Sequence, residues 1–186
     1  MIFKYILRSI GWADVSLKIN NSEIYIDASY LSEPLIDLVR AVELLKLECV
    51  EDDELKDTVQ FDFNSEPAVH RWTLIKKDET NIIIKIILFV DGLTDGKGEA
   101  VFNEVCNLDE FIKVLVLQME NLLKKHGIVE YRKQWNAQDF PLSSYLQLKN
   151  YIKSKAKFPI VVINPDEWNE EITSMIKDEI ELIFSD

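Results

Sequence analysis

The chain has 186 residues, of which 47% are hydrophobic and 29% are charged, and these values are typical of one globular domain with its own core. Its net charge of -12 disfavours binding to nucleic acid and to anionic lipid, and it favours a basic protein partner. Solubility is the more general explanation of such a charge. The sequence shows neither a leader-like N-terminus nor an apolar run of membrane-spanning length, so we expect a cytoplasmic protein with no membrane partner.

Antiparallel strands are predicted at the N-terminus. Apolar side chains alternate in residues 3–7, 15–19 and 24–26, and this period of two is typical of strands with one buried face. Asn20-Asn21 predicts the hairpin turn between the second and third strands, because Asn tolerates a left-handed backbone.

A helix is predicted next, with Ser32 as its N-cap and Pro34 in its first turn. Arg40 lies on its polar face between Asp37 and Glu43, near enough to pair with either. The acidic stretch Glu48–Asp57 follows and is typical of a solvated loop. The apolar stripe of the helix is Leu35, Leu38, Val39, Val42 and Leu45.

Four further strands are predicted between residues 59 and 105. Val59–Phe63 and His70–Lys76 contain alternating apolar positions, and the apolar residues of Ala100–Val105 supply the last strand. Ile82–Val90 is different, because it is apolar at every position except Lys85. We therefore expect this strand to lie at the centre of the fold, with both faces covered for most of its length.

The C-terminal third predicts helices and one short strand. Asn107 caps the start of a long helix that Gly127 ends, and another helix follows Phe140-Pro141. Residues 158–163 predict an edge strand, and Asn164-Pro165 predicts the start of a terminal helix. The apolar stripe of that helix is Trp168, Ile172, Ile176, Ile180 and Ile183.

These elements predict an α+β fold, in which a mostly antiparallel sheet of about six strands packs with three to four helices. We expect one domain over residues 1–186, with residues 164–186 as a C-terminal helix at its periphery. If that helix docks on its own chain the protein is a monomer, and if it docks on a second copy the protein is a homodimer.

Residue types that carry catalysis are sparse and scattered. His70 and His126 lack the spacing of metal ligands, and Cys49 and Cys106 lie far apart, outside any CxxC pair. The sequence contains no phosphate-binding glycine motif and no nucleophilic serine motif. We therefore predict no catalytic residue, no metal and no cofactor, and we favour a non-enzymatic protein.

An alternative hypothesis is a small-ligand, metal or enzymatic site near Arg71 and Asp91–Glu99. Asp91, Asp95 and Glu99 can meet at a turn and hold a hard cation, although Asp-Gly is itself a hairpin signal. Arg71 can bind an anion bidentately, but pairing with a carboxylate across the sheet is the more common arrangement.

Two groups of residues are candidates for partner binding. The acidic group would steer a basic partner, and the second group contains side-chain types that anchor interfaces. The aromatic members of the second group are also ordinary half-buried neighbours of a helix end. The acidic group is Glu51, Asp52, Asp53 and Glu54. The second group is Arg71, Tyr131, Arg132 and Trp135.

Several motifs resemble a family of uncharacterised bacterial proteins. They are Ser29-Tyr-Leu-Ser-Glu-Pro-Leu-Ile-Asp-Leu-Val-Arg-Ala41, Glu66-Pro-Ala-Val-His-Arg-Trp72, Gly98-Glu-Ala-Val-Phe102 and Gly127-Ile-Val-Glu-Tyr-Arg-Lys-Gln-Trp135 with Phe140-Pro141. The resemblance covers roughly residues 12–152 and implies a small bacterial α+β protein without assigned catalytic residues. By analogy with small acidic bacterial proteins, we predict a protein-binding module similar to immunity or antitoxin proteins.

Overall fold

The computed structural model describes residues 1–185, and its elements confirm the predicted α+β class with antiparallel sheets. The strands are β1 (Ile2–Leu7), β2 (Trp12–Ile19), β3 (Ser22–Ser29), β4 (Thr58–Ser65), β5 (Ala68–Lys76), β6 (Asn81–Phe89), β7 (Glu99–Asn107), β8 (Val161–Ile163) and β9 (Glu171–Thr173). The helices are α1 (Pro34–Glu43), α2 (Leu108–Gln134), α3 (Leu142–Ser154) and α4 (Ile176–Phe184).

The strands form three sheets, with the orders β1-β2-β3, β4-β5-β6-β7 and β8-β9. The β2–β3 hairpin turns at Asn20, whose φ of 53° confirms the predicted turn. In β6, Ile84 and its neighbours of the same parity are fully buried, whereas Ile83 and Ile87 on the opposite face are only half-buried. The prediction that both faces of this strand are covered is therefore correct for one face only, because the core lies on one side of the sheet.

One hydrophobic core joins the first two sheets to α1, α2 and α3. Phe3 of β1 meets Phe111 of α2 edge to face, with ring centroids 6.1 Å apart. Trp72 of β5 lies against Phe61 and Phe63 of β4, with distances between ring centroids of 5.9 and 5.1 Å. Each large apolar side chain buried in this way contributes about 1.5–3 kcal/mol. Residues 1–154, which hold this core, are called the body below.

Of these predicted helix ends, the cap at Asn107 is correct and the cap at Ser32 is wrong, and Gly127 interrupts the long helix instead of ending it. The side chain of Asn107 caps α2 by accepting the backbone N–H of Glu110 at 3.0 Å. Gly127 breaks the helical geometry with a φ of 65°, after which α2 continues to its end. Ser32 does not cap α1, because its hydroxyl accepts the backbone N–H of Asn64 at 2.9 Å instead.

The predicted helix over residues 164–186 is wrong for its first half. The chain turns back at Asn164 and Asp166, which both have left-handed φ values of 51° and 65°, and it forms the β8–β9 hairpin. Helix begins only at Ile176. Asn and Asp favour left-handed turns as well as helix caps, which explains the error. The last predicted residue, Asp186, lies outside the described residues.

Candidate functional site

The acidic segment, residues 48–57, forms an exposed turn on buried anchors. Cys49 and Val50 are buried, and residues 51–54 project into solvent. Arg40 of α1 holds the far end of the turn, because its guanidinium donates to Glu54 at 3.0 Å. The predicted solvated loop is thus a turn fixed on the body.

Arg40 also donates to Glu43 at 3.3 Å, which is one of the two pairings predicted along α1. The carboxylate of Glu43 is buried and accepts a second hydrogen bond from the hydroxyl of Ser144 at 2.8 Å. Burial raises the pKa of Glu43, although both hydrogen bonds act in the opposite direction. This network ties the base of the acidic segment to α3.

The arm, residues 155–185, follows the body and comprises the β8–β9 hairpin and α4. None of residues 155–185 is buried, although the arm is rich in large apolar side chains. Trp168 is 97% exposed. A monomeric protein rarely leaves so many neighbouring apolar groups in water without a binding role. The exposed apolar residues of the arm are Ile160, Val161, Val162, Ile163, Trp168, Ile172, Met175, Ile176, Ile180 and Phe184.

The arm begins directly beside the acidic segment. The ammonium of Lys157 lies 3.1 Å from the carboxylate of Glu51 and 3.8 Å from that of Asp52. A cavity of about 160 Å³ lies at this junction, between Glu48 to Glu51 on one side and Phe158 and Ile160 on the other. The acidic segment and the arm therefore form one continuous surface.

This surface carries most of the net charge of the protein. The acidic segment has six acidic residues and one lysine, and the arm has seven acidic residues and three lysines. Together they account for -9 of the total of -12. The negative charge is therefore concentrated where the apolar side chains are exposed.

Contacts at both of its ends fix the arm to the body. At its start, Lys155 donates to Asp109 of α2 at 2.7 Å. At its end, Leu182 and Ile183 pack against the core, and Lys149 of α3 donates to the carbonyl of Ser185 at 2.7 Å. The hairpin and the first turns of α4 lie between these anchors. The contacts at the anchors leave the exposed apolar side chains of this stretch uncovered.

Lys149 is a buried cation that the sequence analysis did not single out. Its side chain is 3% exposed, and its ammonium also lies 2.7 Å from Glu120 and 3.0 Å from the hydroxyl of Tyr145. Burial lowers the pKa of Lys149, but the hydrogen bonds that its ammonium donates to Glu120 and Tyr145 outweigh burial, so the pKa is raised. In sequence it is one of the two lysines of α3, and no local pattern distinguishes it from Lys153.

The candidate residues near Arg71 are engaged in structural contacts. The guanidinium of Arg71 donates twice to Asp62 on β4, at 2.8 Å each, which confirms the predicted cross-strand pair. It also lies 5.3 Å from the ring centroid of Phe89. Asp91 accepts the backbone N–H of Leu93 at 3.0 Å in the following turn.

Asp91, Asp95 and Glu99 do line one open depression of about 640 Å³ beside this turn. Within residues 1–185, however, no group of three or more His, Cys, Asp or Glu side chains is placed to hold a metal ion. The alternative ligand or metal site near Asp91–Glu99 stays a prediction. Arg71 does not contribute an anion site to it, because its guanidinium is paired with Asp62.

Of the three candidate interface residues near the end of α2, Tyr131, Arg132 and Trp135, two lie in the core. Tyr131 and Trp135 are 1% and 2% exposed, and Trp135 meets Tyr5 edge to face at 6.2 Å. Arg132 is exposed, 3.5 Å from Asp139. Only Arg132 of this group is therefore accessible to a partner.

The histidines and cysteines show no activated group. Burial lowers the pKa of His70, and burial together with Lys125 lowers the pKa of His126, so both imidazoles are neutral at pH 7. Burial raises the pKa of the Cys49 and Cys106 thiols to about 12. A thiol with so high a pKa is a poor nucleophile at neutral pH.

No protein-family model, curated protein or solved structure matches the chain. The resemblance to an uncharacterised bacterial family therefore depends on the quoted motifs alone. No helix within residues 1–185 combines the length and the apolar character needed to cross a membrane.

Proposed function

We propose that this protein is a non-enzymatic binding module whose acidic segment and arm together bind a basic protein partner. The observation that carries the proposal is the continuity of the two parts. The charged turn at Glu51 and the uncovered apolar arm meet at Lys157 and form one surface.

The apolar side chains supply the contact area. Trp168, Ile172 and Phe184 are all more than half exposed, and each would leave water on binding. Tryptophan is among the residues that most often dominate interface energies. A partner with an apolar patch would therefore gain most of its affinity from the arm.

The acidic residues supply attraction and selectivity. A surface with a net charge of -9 speeds encounter with a basic partner and repels phosphate backbones and anionic lipid. This charge supports a protein, and not a nucleic acid or a membrane, as the partner. Immunity and antitoxin proteins act by binding and neutralising a partner, and we extend the proposal to that class by analogy.

The test is capture of the partner with the tagged protein from lysate of its own source, at low and at moderate salt, followed by binding kinetics with the purified partner. We expect one basic partner that is captured at low salt and binds more weakly at moderate salt, because salt screens the attraction between opposite charges. Reversal of all four residues 51–54 to Lys should slow association about tenfold and flatten its salt dependence.

A matched control carries four charge reversals elsewhere, so that its net charge is the same. It should associate nearly as fast as the natural protein. Equal on-rates for both variants, or a captured partner without basic character, would contradict the proposal. The control substitutions are Glu23→Lys, Glu79→Lys, Glu99→Lys and Glu130→Lys, all at exposed positions.

A further inference from the structure

The β8–β9 hairpin is an incomplete sheet. It has two strands of three residues, and all six residues are exposed, so neither of its faces is covered. A two-stranded hairpin is marginally stable in water unless a third strand or a packed helix supports it. The hairpin of the arm therefore has the form of a sheet that another strand can extend.

The outer edge of β8 lacks the features that protect strand edges. It consists of Val161, Val162 and Ile163, which are β-branched and apolar, without a charge or a proline among them. By contrast, the edge strand β1 carries the charged residue Lys4 in its middle. Charges of this kind prevent unwanted strand pairing, so their absence from β8 leaves its edge open to another strand.

The charge around the hairpin indicates what kind of strand fits. Residues 159–175 contain four acidic residues and neither Lys nor Arg. A second copy of the chain would bring the same four acids to the edge. A strand with Lys or Arg side chains would meet opposite charges instead, and it could place a cation on the exposed ring of Trp168.

We propose that the partner binds as an extended basic segment that adds a third strand along β8. The inference rests on the proposed function and specifies how its partner is recognised. Backbone hydrogen bonds along β8 would give affinity, and alternating basic and apolar side chains would give selectivity.

The test uses the full chain and a synthetic peptide of nine residues in which lysine and valine alternate. A second peptide has the same sequence with N-methyl groups on both its lysine and its valine backbone amides, which removes the hydrogen-bond donors of both strand edges and keeps the charge. Binding is followed by the fluorescence of Trp168, with Trp168→Phe to identify the signal, and by hydrogen exchange of the amides of Val161 to Ile163.

We expect the first peptide to shift the Trp168 emission to shorter wavelength and to slow amide exchange in β8. N-methylation should weaken binding about tenfold or more. Val162→Lys should weaken it similarly, whereas Ile6→Lys on the exposed side of β1 should leave it unchanged.

Three results would overturn strand addition. They are equal binding of the two peptides, absence of any change at Trp168 and β8, and a dimer of the free protein that Val162→Lys dissociates. Equal binding would still agree with a basic partner attracted by charge. The proposed function fails separately, if reversal of residues 51–54 leaves the association rate with the captured partner unchanged.

Discussion

The body and the arm use the same apolar residue types in opposite ways. Trp72 of the body is fully buried between the aromatic rings of β4, whereas Trp168 of the arm is 97% exposed. The isoleucines of β6 that face the core are likewise buried, whereas Ile172 and Ile176 of the arm lie in water. An apolar stripe therefore shows that a surface needs a partner, but it does not show whether the same chain provides that partner.

Charge distinguishes the two regions as well. The buried charges of the body are paired, as Glu43 is with Arg40 and Lys149 is with Glu120. The acids of the arm mostly face solvent. Because unpaired charges are costly to bury, each buried charge of the body needs a partner within the body. The arm instead retains exposed charge that a partner protein can neutralise.

The sharpest test of this contrast is a pair of tryptophan substitutions. Trp72→Ala should lower the free energy of unfolding by about 3–5 kcal/mol, because it leaves a cavity against Phe61 and Phe63. Trp168→Ala should change it by less than about 0.5 kcal/mol, because nothing covers that side chain. Urea unfolding of both variants measures the difference. A large loss of stability for Trp168→Ala would mean that the arm packs on the body in solution.

The contact at Lys149 tests how far the arm depends on the body. Lys149→Met should cost about 2–4 kcal/mol, because it leaves Glu120 without its buried cation and the carbonyl of Ser185 without its donor. Since this contact fixes the end of α4, the arm should also become more sensitive to trypsin than the body.

Lys153→Met is the matched control, because Lys153 lies on the same helix and is exposed. It should leave both stability and the rate of cleavage in the arm nearly unchanged. If Lys149→Met were as harmless as this control, the contact of Lys149 with the end of the arm would be without importance.

Features that depend only on residues adjacent in the sequence could be predicted from the sequence. The cap at Asn107 and the turn at Asn20 depend on local backbone chemistry, and the structure confirms both. Gly127 also departs from helical geometry as expected of a C-cap, although the helix resumes after it. The prediction of a helix after Asn164 was wrong because Asn-Pro-Asp fits both a helix start and a left-handed turn. The pairing of residues 161–163 with residues 171–173 decides between them, and such pairing is a non-local property.

The candidate surface shows the same limit. The acidic group at residues 51–54 was visible in sequence because runs of like charge are solvated wherever they occur. The sequence did not show that Tyr131 and Trp135 are buried and that Trp168 is exposed, because aromatic residues occur both in cores and in interfaces. Only the fold determines which aromatic side chains the chain covers by itself.

The pH dependence of Asp109 tests the other end of the arm, with a smaller expected effect. Its carboxylate accepts hydrogen bonds from Tyr151 at 2.6 Å and from Lys155 at 2.7 Å, and it lies 3.3 Å from the ammonium of Lys46. Partial burial raises its pKa, but the hydrogen bonds and the two lysines outweigh burial and lower the pKa of Asp109 to about 2.

A carboxyl group with a depressed pKa stabilises the fold when it is ionised. The contribution of Asp109 should therefore be fully present above its ordinary pKa of 3.8 and should be lost as the pH falls through about 2. NMR titration of its carboxyl carbon measures the midpoint directly. Lys155→Ala should raise this midpoint and should loosen the start of the arm at neutral pH, while the core of the body stays intact. A midpoint near 3.8 in the natural protein would mean that Asp109 does not hold Lys155, and that the ion pairs of Lys157 with Glu51 and Asp52 are what fix the start of the arm.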